Sequence, residues 1–318
     1  MRKKLIVLVV LAAIIAVTAG AAMAKFPTRP ITLIVYMAPG GAIDVFARKF
    51  EAIAQKYTDA TFVIVNKPGA GGLVAIKDVL ASKADGYKLA AVTKSNIGTL
   101  VSTKSDIKIE DMSWLALMVS DPEAIITNRT LAVNTWEQIV EDAKAKNGDQ
   151  IWLGPAKGGN DHIMALKVWK AAGIKGKWIP YDSGGKAMTA LMGGHGAVYV
   201  GNPQDVMGKP DLKVAVISSP ERLDGEFADV PTFKEVGISD LDDEIMWRGF
   251  MVKKGIPAEA KNFYNDLFDK VNKDPDWQKY IKKGGANPVF YNEEKFTKYV
   301  VTDKKDFTET LQELGLLK

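Results

Sequence analysis

The sequence predicts an α/β protein of two similar lobes, each a mostly parallel sheet covered by helices. Apolar, β-branched runs alternate with amphipathic helical patterns along most of the chain. Four Gly-Gly pairs, Gly40-Gly41, Gly71-Gly72, Gly158-Gly159 and Gly184-Gly185, each stand between a strand pattern and a helix pattern. The alternation pauses and then resumes near residue 123 without any stretch of linker composition, which fits lobes joined by crossing strands. The expected division is a leader over 1–24, a first lobe of 25–122 and 222–318, and a second lobe of 123–221.

The leader begins with the basic run Met1-Arg2-Lys3-Lys4. It continues as an unbroken apolar run from Leu5 to Val17 and ends in the small-x-small site Ala22-Met23-Ala24. This is the order of a cleaved secretory signal, and the run falls short of the about 20 apolar residues that a membrane span needs. Arg2, Lys3 and Lys4 contribute +3 of the formal net charge of +4, which leaves +1 and no general pull on nucleic acid. With no cysteine in the chain, disulfides, thiolate metal sites and a lipid anchor at the cleavage point are excluded. An exported, unlipidated chain is expected in a periplasm.

In the first lobe, Ile31 to Tyr36 reads as a buried strand bounded by prolines. Ile43, Phe46, Ala47, Phe50 and Ile53 then recur at helical spacing. Thr61 to Val65 is a second strand, Val74, Ile76, Val79 and Leu80 mark a helix, and Lys88 to Thr93 is a third strand. In the second lobe, strands are expected at Ile125-Ile126, Leu131 to Val133, Ile151 to Leu153, Lys177 to Tyr181, Ala197 to Val200 and Val214 to Ile217. Helices are expected over Trp136 to Lys146, after Gly159, and from Ala187 to Met192 with a stop at Gly193-Gly194. The tail from Pro257 reads as mostly helical, ending in Phe307, Leu311 and Leu314.

The glycine loops point to chemistry. A helix start carries unpaired N–H groups and partial positive charge. Glycine ahead of it lets a ligand approach those groups closely. In open α/β sheets ligands sit outside the carboxyl ends of strands, where these loops lie. Several such starts on one cleft would hold a small anion without lysines or arginines; ordinary strand-to-helix turns are the alternative. Asn160 and His162 open the helix after the third loop and could donate to a carboxylate, while Asn160 or Asp161 could instead cap that helix. Asp44 either favours its helix dipole, orients the first loop or accepts a ligand proton, and Arg48 lies one turn on. Lys157 could meet an anionic group, and Arg248 a second carboxylate.

Enzyme signatures are missing. There is no P-loop, no dinucleotide fingerprint, no Gly-x-Ser-x-Gly elbow and no His-Glu-x-x-His, so no cofactor or metal is expected. An exported enzyme using Asp161-His162 or Asp44 stands as the alternative from another class.

A series of motifs resembles one family. It runs Phe26-Pro27-Thr28-Arg29-Pro30-Ile31, Ala38-Pro39-Gly40-Gly41-Ala42-Ile43-Asp44 with Ala47-Arg48, Asn66 to Gly72, and Asp85-Gly86-Tyr87. Pro180-Tyr181 with Gly184-Gly185, Gly193-Gly194, and Val230 to Gly237 follow in order. The chain is similar in these to the Bug, or TctC-like, extracytoplasmic solute receptors of tripartite tricarboxylate transporters. It departs from them with Tyr36-Met37 before the first loop and Lys157 before Gly158-Gly159-Asn160.

The resemblance implies a two-lobed Venus flytrap of the type II periplasmic binding protein class and no enzyme. It also implies a monomer that grips a di- or tricarboxylate or aromatic acid through loop backbone, with integral-membrane transporter subunits as partners. A receptor for a sensor kinase would carry the same fold. The expected contacts are Tyr36, Ala38, Gly40, Gly41, Ala42, Asp44, Gly71, Gly72, Ser95 and Asn96 from the first lobe. Lys157, Gly158, Gly159, Asn160, His162, Tyr181, Ser183 and Asp205 follow from the second, with Arg248 at the return.

Overall fold

The computed structural model describes residues 26–317, so the leader lies outside the described residues. The chain runs β1 (Ile31–Val35), α1 (Ala42–Ala54), β2 (Phe62–Asn66), α2 (Leu73–Leu80), β3 (Lys88–Thr93), α3 (Lys94–Ser102) and β4 (Met112–Pro122). It then passes through β5 (Ala124–Asn128), α4 (Trp136–Lys146), β6 (Ile151–Pro155), α5 (Asn160–Ala171), β7 (Lys177–Tyr181), α6 (Gly184–Met192), β8 (Val198–Gly201) and β9 (Leu212–Ile217). It returns as β10 (Ile245–Lys253), α7 (Ala258–Lys273), α8 (Pro275–Lys283), β11 (Asn287–Asn292) and α9 (Glu293–Glu313).

Two sheets result, in the orders β11-β4-β10-β3-β1-β2 and β7-β6-β8-β5-β9. The strands are parallel where strand, loop and helix alternate, as in β2-β1-β3 and β7-β6-β8. They are antiparallel where β4, β5, β9, β10 and β11 enter. The Leu131 to Val133 stretch expected as a strand is instead a bend that follows a turn, Leu131 N–H on the Asn128 carbonyl at 3.1 Å. β11 carries no run of alternating hydrophobicity and was not expected.

The lobes are joined where chain passes between the sheets. Glu123 alone separates β4 of the first sheet from β5 of the second. Its N–H donates to the Glu244 carbonyl at 3.2 Å, and its carbonyl accepts from Ser218 N–H at 2.8 Å. Ser218 Oγ donates to the Glu244 carbonyl at 2.6 Å. The two crossing points, at Glu123 and Glu244, are thus stitched to each other and to Ser218 at one level. The segment 222–244 was expected with the first lobe, but it packs on the second. Thr232 bridges Ile217, and the buried Phe233 stands edge-on to Trp136 at 5.8 Å. The passage back into the first lobe is therefore at Glu244 to Ile245, because the apolar anchors Phe233 and Leu241 find their core on the second sheet.

The first lobe is centred on aromatic packing behind its sheet. Phe250 on β10 stacks on Phe268 at 5.0 Å and meets Phe50 at 4.5 Å, with Phe46 and Trp277 closing the cluster. Burial of each such ring contributes about 1.5–3 kcal/mol. Beside the crossings, charge ties the lobes. Lys167 on α5 reaches Glu244 Oε1 at 2.5 Å and Asp306 of α9 at 2.8 Å. Lys94 reaches Glu244 Oε2 at 3.3 Å and Asp303 at 3.5 Å.

Candidate functional site

The first loop follows β1. Gly40 takes φ +81°, a left-handed conformation that suits glycine. Its N–H donates to Asp44 Oδ2 at 2.9 Å, Arg48 Nε donates to the same oxygen at 2.9 Å, and Asn66 Nδ2 donates to Oδ1 at 2.8 Å. Burial would raise the Asp44 carboxyl, but these three bonds together hold it below the usual range. Both its oxygens are engaged, so it orients the loop, one of the roles expected for it. Ala38, Gly40 and Ala42 are exposed, and Gly41 N–H turns back onto the Ala38 carbonyl at 3.2 Å. Of the N–H groups that follow, those of Asp44 and Val45 donate to the Gly41 carbonyl at 2.9 and 3.0 Å, and those of Ala42 and Ile43 have no partner among the described residues.

The second loop serves packing. Gly72 lies at φ +100°, and a Cβ there would sit 2.3 Å from Asn96 Nδ2 and 3.2 Å from the Tyr36 ring. Asn96 was expected to face the ligand but is fully buried. Its Oδ1 accepts from Thr93 N–H at 2.9 Å, and its Nδ2 donates to the Gly71 carbonyl at 3.3 Å. It caps α3 and holds the second loop. Tyr36 is buried, shares a 2.7 Å bond with Thr93 Oγ1, and burial pushes its hydroxyl up to about 12.

The third loop meets the first lobe directly. Asn160 N–H donates to Ser95 Oγ at 3.1 Å, so the starts of α3 and α5 touch across the lobes. Gly98 makes that approach possible, since a Cβ there would sit 2.6 Å from the Gly158 carbonyl oxygen. Gly98 was missed in the sequence, where it reads as an ordinary helical glycine. Gly158 has φ +81°, and a Cβ on it would clash with Ser102 Oγ at 2.0 Å. Gly159 is the N-cap residue of α5.

His162 was expected to donate to a ligand, but its Nδ1 accepts from Gly158 N–H at 3.1 Å. Its ring lies against Trp178 at 5.1 Å, and burial, then Lys157, lowers it to about 4, so at neutral pH it is an uncharged brace for the loop. Lys157 itself is exposed. Tyr181 is half-buried and its carbonyl accepts from Ala156 N–H at 2.9 Å, while Ser183 Oγ caps α6 from Lys186 N–H at 3.3 Å.

Between the lobes lies a buried polar cluster. Arg248 was expected to wait for a ligand carboxylate, but its guanidinium is already spent. It bonds Asp121 through Nη1 and donates to Asn202 Oδ1 through Nη2 at 3.1 Å. Gln204 Nε2 also reaches Asp121 at 3.0 Å. Asp205 accepts from Tyr199 Oη at 3.0 Å and Asn202 N–H at 3.1 Å, capping the turn after β8. Asn160 Nδ2 donates to Glu123 Oε1. Burial raises the carboxyls of Asp121, to about 6, and of Asp161, to about 7, and raises Glu123 and Asp205 as well. Sequence reasoning treated Asp161 as a cap, or as a partner of His162 in the enzyme alternative, and left Asp121 and Glu123 out.

The family described as "Tripartite tricarboxylate transporter family receptor" matches residues 46–316. Protein BugT of Bordetella pertussis (strain Tohama I) is 25% identical over 297 residues, covering 91% of this chain and 90% of that protein. A structure titled as a periplasmic transporter superposes with a TM-score of 0.86 at 24% identity, covering 92% of this chain and 99% of the other. An R. palustris protein solved with adipate gives 0.85 at 19% identity, over 92% and 99% of the two chains. MatC from Rhodopseudomonas palustris, solved with bound malate, gives 0.81 at 20%, over 90% and 100%. These structural likenesses show the two-lobed fold expected from the sequence.

Proposed function

The chain belongs to the tripartite tricarboxylate transporter receptors, a family of periplasmic solute-binding proteins and not of enzymes, and from that premise we propose that it holds a small organic carboxylate between its lobes and delivers it to a membrane transporter. The observation that carries this reading is the meeting of two helix starts across the lobes, Asn160 N–H on Ser95 Oγ at 3.1 Å. The N–H groups of Ala42 and Ile43 on α1, and of Lys94 and Ser95 on α3, have no partner among the described residues and would seat the anion. The adipate and malate found in the two R. palustris proteins support an acid of that size. Closure is a hinge motion at Glu123, Ser218 and Glu244, and the ligand drives it by binding the closed form more tightly.

A thermal-shift series tests the reading. Residues 25–318, stripped of co-purified ligand by unfolding and refolding, are heated with mono-, di- and tricarboxylates, aromatic acids and amino acids. One acid class should stabilise the fold, by about 2.7 kcal/mol at a concentration of 100 times Kd. No shift with any acid sinks the carboxylate assignment, and turnover of one would favour the enzyme reading.

Gly98→Ala tests closure. The added methyl group keeps the lobes from reaching the Gly158 carbonyl. Within the first lobe the methyl group would lie 3.3 Å from Phe307 Cε2, a tight contact that the gain in helix propensity of up to about 1 kcal/mol should offset in the unliganded fold. Affinity for the stabilising acid should fall on the order of tenfold or more, a loss of about 1.4 kcal/mol per decade. Unchanged affinity by calorimetry would mean that the ligand does not need this contact.

A further inference from the structure

Asp161 stands where the second lobe would otherwise receive an anion. The first two N–H groups of α5, and that of Gly158 just ahead of it, are already taken. Asn160 N–H goes to Ser95 Oγ, Gly158 N–H to His162 Nδ1, and Asp161 N–H to its own carboxylate. Asp161 as a residue is 4% exposed, and among the described residues its carboxylate receives no hydrogen bond from any other residue.

The groups close enough to feel its charge come from both lobes and the crossing. They are Tyr36, Tyr199, Glu123, Asp205, Asp121 and Arg248. The donors among them are committed, Arg248 to Asp121 and Asn202, and Tyr199 to Asp205. Acceptors are left over, since Asp121 Oδ1 and Glu123 Oε2 are buried without a partner. Among the described residues no three of these acids are disposed to hold a metal ion.

Buried acceptors without donors are costly, and native proteins rarely leave them so. The complement of such a surface is a ligand that brings the donor. A plain second carboxylate placed here brings only more acceptors, and it meets like charge wherever these acids are ionised, which disfavours it without any steric barrier.

We propose that Asp161 determines specificity by making the cleft prefer acids with a hydroxyl or ammonium donor beside a carboxylate over plain dicarboxylates. The inference rests on the carboxylate reading of the cleft. The ligand carboxylate takes the open N–H groups of the first lobe, and its donor faces Asp161.

Succinate, malate and aspartate differ at one carbon only, by hydrogen, hydroxyl and ammonium, and calorimetric titration of the stripped mature protein with each is the test. Malate or aspartate should bind about tenfold tighter than succinate or better, as expected where a buried polar group selects for a donor. Asp161→Asn should narrow that ratio at least threefold. Asp161→Ser keeps a short acceptor for the helix N–H, and its ratio should narrow likewise if the asparagine variant folds poorly. Equal affinities for succinate and both others in the wild type, or an unchanged ratio in the folded variants, overturn the role of Asp161. Binding of succinate alone overturns it while leaving the carboxylate reading intact. Binding of none of the three, with no carboxylate active in the thermal series, overturns that reading and this inference with it.

Discussion

Arg248→Met is expected to lower the unfolding free energy by about 3–5 kcal/mol, the usual loss when one partner of a buried ion pair is removed. The guanidinium sits on β10 at 5% exposure and neutralises Asp121, which is fully buried on the neighbouring strand β4. Without it Asp121 keeps only the Gln204 amide, and its other oxygen already lacks a partner. Asn202 Oδ1 would lose its donor too. The deficit should depend on pH. Burial raises Asp121 to about 6 even with Arg248 lowering it, so in the variant the acid takes up a proton more readily. The penalty is therefore larger at pH 8 than at pH 5. Pairing Arg248→Met with Asp121→Asn should restore most of the loss, since a neutral pair leaves no uncompensated charge. Urea unfolding of the single and double variants at both pH values measures all of this. A single variant within about 1 kcal/mol of wild type at both pH values would mean that Asp121 does not need the charge of Arg248 to stay buried.

That pair also marks where the sequence stopped being readable. The β–α alternation was legible because period-2 and period-3.6 patterns are local, and the glycine loops stood out because left-handed φ values favour one residue type. Gly40, Gly72 and Gly158 were picked out as members of Gly-Gly pairs ahead of helices, and each has a positive φ. Partnership is not local. Arg248 finds Asp121 across 127 positions, and Asn160 finds Ser95 across 65. Whether Asn96 or His162 faces a ligand or a neighbouring loop depends on such meetings. The segment 222–244 was misplaced for a related reason. It has little periodicity, and its lobe is set by the few side chains, Phe233 and Leu241 among them, that reach the second core. Gly98 escaped notice because its φ is ordinary and what shuts out a side chain there is distant in sequence, the Gly158 carbonyl of the other lobe first and the Phe307 ring second.

Asp161→Asn should gain stability relative to wild type as pH rises from about 4 to about 7. In the folded chain burial first, and then the charges of Asp205 and Asp121, hold the Asp161 carboxyl at about 7 against the opposing pull of its own N–H and Arg248; its ordinary value is 3.8. The folded state therefore keeps a proton that the unfolded state has released across that window. When the folded state binds more protons, stability falls as pH rises. The contribution is whole below about pH 4 and gone above about pH 7. Asparagine has the same shape and no proton to lose. The stability difference between variant and wild type should thus widen across the window by up to about 4 kcal/mol, at about 1.4 kcal/mol per unit. His162, lowered to about 4 by burial and Lys157, works the other way and weakens the fold as pH falls through that range. It is present in both proteins and largely cancels in the difference. Glu123, raised by burial and by the Asp161 charge, should ionise more easily in the variant and adds to the same trend. Urea unfolding of both proteins at pH 5, 6, 7 and 8 gives the difference directly. A constant difference would mean that Asp161 is ionised throughout in the folded chain, its charge met by a donor from elsewhere. A widening difference would mean that the cleft waits with a proton on this acid, which a ligand hydroxyl or ammonium group displaces when it binds.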